Sequence, residues 1–149
     1  MKLENRCLVP ASADKTWALL LDIPQSAPCI PGVQDVTPDG ENQFKAIMQV
    51  RIGPVRLNFS GTMNILEQDR EKGEARFRIE AADRKVGGSI RADMTMQIIS
   101  LSPEESELVI VTDTVFMGKI GEFGLPIIRR KANSTLEDFA RNLAKQVQA

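Results

Sequence analysis

A chain of 149 residues with 42% apolar residues and a net charge of −1 carries enough apolar material for one folded core. Its positive field is too weak for nonspecific nucleic-acid binding. The absence of histidine and tyrosine excludes histidine-based catalytic triads and histidine-containing zinc sites.

Residues 2–9 alternate, with Leu3, Asn5, Cys7 and Val9 on one face and Lys2, Glu4 and Arg6 on the other, which predicts a half-buried strand. Ser12 is placed to cap a short helix over ADKTWALLLD, with Trp17, Leu20 and Leu21 turned inward. The three prolines of DIPQSAPCIPG permit only a brief helical turn and a corner at Gly32.

Strands follow at about 33–38 and at 43–52, where Phe44, Ala46, Met48, Val50 and Ile52 form a stripe. After Gly53-Pro54, the segment 55–67 places Leu57, Phe59, Gly61, Met63 and Ile65 on one face and polar side chains on the other. The stripe continues through Ala75, Phe77, Ile79 and Ala81, then through Ile90, Ala92, Met94, Met96 and Ile98. In 107–117 both faces are largely apolar, because Val109, Val111 and Val115 share the face opposite Leu108, Ile110, Thr112, Thr114 and Phe116. That outer face is expected to be covered, and a homodimer or partner surface is one way to cover it.

From about 119 the period changes to nearly four. Ile128, Ala132, Leu136, Phe139, Leu143 and Val147 make one stripe, extended backward by Ile120, Phe123 and Ile127. No second long helix exists to receive it, so the sheet must. The expected architecture is α+β, a helix-grip fold with a curved antiparallel seven-stranded sheet around a long C-terminal helix, in one domain over 1–149.

Chemistry-bearing groups are sparse. Cys7 and Cys29 lack CxxC spacing and read as reduced structural cysteines. Asp22, Asp83, Asp93 and Asp113 are scattered, and no paired acid–base site is expected among them. Asp22 reads as a local hydrogen-bonding residue. Gly118, Gly121 and Gly124 precede the long helix and suit either a mobile gate or a plain flexible loop. Arg129, Arg130 and Lys131 form a basic cluster, read as solvated or as a contact for anionic lipid or an acidic partner. No run approaches the roughly 18 apolar residues of a membrane-spanning helix, and MKLENRCLVP lacks a signal-peptide core, so a cytoplasmic location without a transmembrane segment is expected.

The strings VPASADKTWALLLD, APCIPG at 27–32, IGPVRLNFSG at 52–61, GKIGEFG at 118–124 and Phe139-Ala140-Arg141-Asn142-Leu143 together span nearly the whole chain. In them the sequence resembles the carbon monoxide dehydrogenase G-subunit family, within the SRPBCC (START and polyketide-cyclase-like) superfamily. The resemblance implies an apolar cavity between the sheet and the last helix. It also implies a noncatalytic accessory role beside a molybdenum-containing hydroxylase such as CO dehydrogenase, in membrane recruitment or electron transfer. A maturation factor acting through protein contacts and a cyclase- or hydrolase-like enzyme of the same fold are the alternatives. Relatives commonly place a large aromatic at the position of Cys7. Many also carry an apolar tail, and the sequence to Ala149 has none, so peripheral membrane contact is expected rather than an anchor of its own.

On that reading the ligand-binding residues are Met48, Phe59, Met63, Phe77, Met94, Met96, Thr112, Thr114, Phe116, Phe123, Ile127 and Leu136. The methionines suit ordinary core packing equally well. The small residues Ala46, Gly61, Ala75, Ala81 and Ala92 favour space opposite the helix. Thr112 and Thr114 are able to donate to a quinone carbonyl or lipid headgroup. No tightly bound cofactor is expected. The expected ligand is a quinone or another isoprenoid or lipid.

Overall fold

The computed structural model describes residues 1–148. Strand β1 (Lys2–Val9) leads into α1 (Ala13–Leu21), α2 (Ile23–Ser26) and a 3-10 turn at Ala27–Cys29. Ser12 caps α1 as its sequence position predicts, its Oγ accepting from the Lys15 amide at 3.1 Å. Pro24 sits in the first turn of α2, where its missing N–H breaks no helical bond. Asp22 bonds locally through its backbone. Its carbonyl accepts from the Gln25 and Ser26 amides, and its side chain makes no capping bond.

Strands β2 (Val33–Pro38), β3 (Gln43–Ile52), β4 (Val55–Asp69), β5 (Glu74–Asp83), β6 (Gly88–Ser102) and β7 (Glu105–Gly118) complete a seven-stranded sheet of order β1-β7-β6-β5-β4-β3-β2. Every pairing is antiparallel. Consecutive hairpins build β2 to β7, and β1 returns to pair with β7. A second 3-10 turn at Lys119–Phe123 leads to α3 (Leu125–Gln148), a helix of 24 residues with Pro126 in its first turn. It lies along β1 and the Ala27–Cys29 turn and reaches towards β3, so it crosses the sheet from one edge strand towards the other. No helix among the described residues is long and apolar enough to cross a membrane.

The alternation read from the sequence decides which side chains face α3. In β4, Leu57 and Phe59 are buried while Arg56, Asn58 and Ser60 are exposed. Along α3, Ile128, Phe139, Leu143 and Val147 are buried, as the period near four requires. Ile127 does not follow the stripe. It is 48% exposed, because a single helical step from buried Ile128 turns it by about 100°.

Two apolar cores result. The first gathers Trp17, Leu20 and Ile23 of the short helices, Phe77, Ile98 and Leu108 of the sheet, and Phe139, Leu143 and Val147 of α3. A buried hydroxyl pair, Thr16 Oγ1 to Ser106 Oγ at 2.9 Å, ties α1 to β7 beside it. The second core is Leu57, Phe59 and Ile120, with Met48, Phe116 and Phe123 packed against them. Ile120 fills the space over Gly88, where any Cβ would overlap its side chain. The Lys119 amide bonds the Gly87 carbonyl at 2.9 Å, which pins the entry to the second 3-10 turn. Gly118 is therefore held in place. Its φ of 74° and the closeness of the Gly87 backbone are the reasons for glycine there.

Part of the apolar outer face of β7 is withdrawn from solvent in the single chain. Val109 is buried and Val111 half-buried. Val109 lies between Arg6 and Gln97 in the ladder, and Val111 between Glu4 and Thr95. The exposed apolar part shrinks to Val115 and Met117, at 57% and 47%.

Candidate functional site

The strand register aligns the inner-face residues in rows across the sheet, and the rows differ in bulk. One row carries Thr112, Met94, Phe77 and Ile65 from β7 to β4. The next carries Thr114, Ala92, Ile79 and Met63. The third carries Phe116, Ile90, Ala81, Gly61 and Ala46, so three small residues stand side by side on β5, β4 and β3. Glycine at 61 is obligatory. A Cβ there would collide with the Glu80 carbonyl and with Ala81.

These low-bulk rows are a trough in the side-chain relief of the sheet. Ala81 packs against the second core, and Ala46, Ile79 and Ala92 belong to neither. Ala46, Gly61, Ile79, Ala81, Thr112 and Thr114 are all only half-buried, although α3 lies across this face.

The residues singled out from the sequence distribute around this trough. Met63, Met94, Met96 and Leu136 pack against the first core, and Phe77 is part of it at 1% exposure. Phe59 belongs to the second core, with Met48, Phe116 and Phe123 against it. Thr112 and Thr114 occupy the β7 end of the two rows between. Ile127 stands apart, exposed at the start of α3. Three open depressions of about 510, 400 and 520 Å3 lie on the surface. None of the twelve expected ligand-binding residues lines them. The first sits between Pro24, Cys29 and Asn142, the second beside Asp69, Ala75 and Arg76, and the third beside Asp35, Lys45 and Arg84, where Ala46 and Gly61 form part of its wall.

The ionisable groups near the trough are committed to structure. Asp83, at the end of β5, is buried. Its Oδ2 accepts from the Asn58 amide at 2.7 Å, and its Oδ1 accepts from the Lys85 and Val86 amides, both at 2.9 Å. Those amides, Val86 foremost and then Asn58, hold its pKa below the ordinary aspartate value against the opposing effect of burial. Asp93 pairs with Arg78 at 3.0 Å on the outer face. Both cysteines are free thiols. Burial raises the pKa of each, helped at Cys7 by the charge of Glu107, so both stay protonated and poorly nucleophilic at neutral pH.

One polar residue on this face is absent from the set that the sequence singles out. Asn5 shares the inner parity of β1 with Leu3 and Val9 and lies opposite Ile110. Its Nδ2 is buried and has no hydrogen-bond partner. The signal is present in the sequence as an amide within an otherwise apolar stripe.

Residues 6–148 match the model of a protein family, the G-subunit of carbon monoxide dehydrogenase (CoxG). The chain belongs to this family. No curated protein matches the CoxG-family chain. Solved structures resemble it over 99% of its length. They include a conserved protein from Geobacillus kaustophilus, with TM-score 0.90, 16% identity and 95% of that chain covered. A START superfamily protein from Mycobacterium smegmatis has TM-score 0.76 and 14% identity over 97% of its length. The Zhui aromatase/cyclase from Streptomyces sp. R1128 has TM-score 0.70 and 15% identity over 93%. At these identities the likeness concerns the fold, which the CoxG family shares with the START-like superfamily.

Proposed function

We propose that the trough between sheet and α3 holds a neutral apolar molecule, a quinone or another isoprenoid or lipid, without transforming it. The observation that supports this reading is the half-buried row Ala46, Gly61 and Ala81, which puts little side-chain bulk on the inner face of three neighbouring strands. Flexible methionines along both sides suit a ligand of variable shape. The commitment of Asp83 to three backbone amides removes the one buried carboxylate from acid–base work.

Membership in the CoxG family supports service to a molybdenum-containing hydroxylase such as CO dehydrogenase, in membrane recruitment or electron transfer. Val115, Met117, Leu125 and Ile127 are exposed apolar side chains on the segment that also carries Lys119, Arg129 and Arg130. Such a surface suits peripheral contact with an anionic membrane. It equally favours the second reading, an assembly factor that docks on its partner enzyme through those side chains.

Purification from the native host followed by solvent extraction and mass spectrometry separates the two readings. The ligand reading expects one class of quinone or lipid at near one equivalent per chain. An empty extract from a protein that still binds the hydroxylase would leave the assembly reading standing.

A further inference from the structure

We propose that the end of the sheet carrying the β3–β4 hairpin, the β5–β6 turn and the second 3-10 turn is a docking face for an anionic lipid surface. This rests on reading residues 115–130 as a peripheral membrane contact, and it adds two further turns to that contact. Strands β3, β5 and β7 finish at this end, and β4 and β6 begin there. The three turns are fastened to one another. The Asn58 amide of β4 bonds Asp83 Oδ2 at the foot of the β5–β6 turn, and the Lys119 amide bonds the Gly87 carbonyl on its other side. Together they carry Arg51 and Arg56 on the hairpin, Arg84 and Lys85 on the β5–β6 turn, and Lys119 on the 3-10 turn. All five are exposed, and among the described residues none of them pairs with a carboxylate.

Elsewhere the cations are paired. Lys45 meets Asp39, Arg70 meets Asp14, Arg76 meets Glu67 and Arg78 meets Asp93. The acids gather at the opposite end of the sheet, with Asp39 and Glu41 at the β2–β3 turn, Asp69 and Glu71 at the β4–β5 turn, and Glu104 and Glu105 at the β6–β7 turn. On the three basic turns Glu122 is the one exposed carboxylate, since Asp83 is buried and holds three amides. Arg51 and Arg56 stand directly opposite each other across the hairpin. Like charges so placed repel, and an anion from outside the chain relieves them. A net charge of −1 gives the whole chain no attraction to a negative surface, so the separation of charge between the two ends supplies both attraction and orientation. Beside Lys119, Met117, Leu125 and Ile127 are exposed at 47%, 56% and 48%. Cations spread over three turns around apolar side chains suit a bilayer interface, where mobile headgroups gather at the cations and apolar groups enter the acyl boundary. An acidic protein surface, with carboxylates in fixed places, would have to match each turn separately.

Co-sedimentation of the full chain with vesicles tests this, using phosphatidylcholine alone and phosphatidylcholine in equal parts with phosphatidylglycerol. The wild-type protein is expected to bind the mixed vesicles only and to leave them as salt is raised. Arg51→Gln with Arg56→Gln is expected to weaken binding about tenfold, and so is Arg84→Gln with Lys85→Gln. Arg70→Gln with Lys72→Gln removes the same charge from the acidic end and is expected to leave binding nearly unchanged. A second readout needs no variant to fold. Nitroxide-labelled lipid in the mixed vesicles is expected to broaden the Lys85 and Lys119 amide signals and to spare those of Glu71 and Glu104. No weakening by either basic-end variant, with broadening confined to Leu125 and Ile127, would overturn the enlarged face and leave the contact of residues 115–130 standing. Equal binding to both vesicles, equal weakening by all three variants, or broadening at Glu71 and Glu104 would overturn the choice of this end. Absence of wild-type binding to either vesicle would overturn the membrane contact and this face together, and leave an acidic protein surface as the occupant.

Discussion

Asp83 illustrates how one side chain holds the second core in place. It joins the end of β5 to β4 through the Asn58 amide and closes the β5–β6 turn through Lys85 and Val86. Its folded-state pKa lies below its unfolded value. Its stabilisation is therefore complete above the unfolded pKa of about 4 and is lost as pH falls through the lower folded value. Asp83→Asn, which replaces one acceptor with a donor facing amides, is expected to cost about 2 kcal/mol at pH 7. Urea denaturation measures it. The gap between variant and wild type should shrink in acid, and a gap that stays constant into strong acid would contradict the assignment. Little of this is legible in the sequence. Residue order places Asp83 next to a turn, but its shortest contact comes from a strand 25 residues earlier. Asn5 is the opposite case, since its inward parity is readable from alternation alone.

At the scale of elements, periodicity carries most of the information. The stripe Ile128, Ala132, Leu136, Phe139, Leu143 and Val147 marks α3, and the structure buries four of those six side chains and half-buries Ala132 and Leu136. Leu143 is 0% exposed and lies in the first core, whereas Ile127 is 48% exposed. Leu143→Ala is expected to destabilise by about 2–5 kcal/mol. Ile127→Ala should stay within about 0.5 kcal/mol. Thermal and urea unfolding of the pair would check both, and similar losses for the two would refute this placement of the helix. Periodicity misleads at Ile127 because a stripe tolerates one neighbouring position while a helix turns away from it. It also overstates the bare face of β7. Val109 stands beside Arg6 and Gln97, and Val111 beside Glu4 and Thr95, and only the cross-strand register shows this.

The whole molecule is organised by the failure of its two cores to merge. The α+β order and the helix-facing side of each strand follow from the sequence alone, and so does membership in a family that residues 6–148 then match. The alignment of the small residues does not. Ala46, Gly61 and Ala81 suggest space from the sequence, but they become one row on three strands only when the register aligns them. The central claim is that an apolar ligand occupies this row. Methyl-13C methionine labelling tests it directly, because Met48, Met63, Met94 and Met96 share the inner parity while Met117 is exposed on the outer face of β7. Titration with 2-methyl-1,4-naphthoquinone should shift the methyl signals of Met63 and Met94 saturably and leave Met117 in place. Inner methyls that stay fixed up to the solubility of the probe, or a shift confined to Met117, would contradict it.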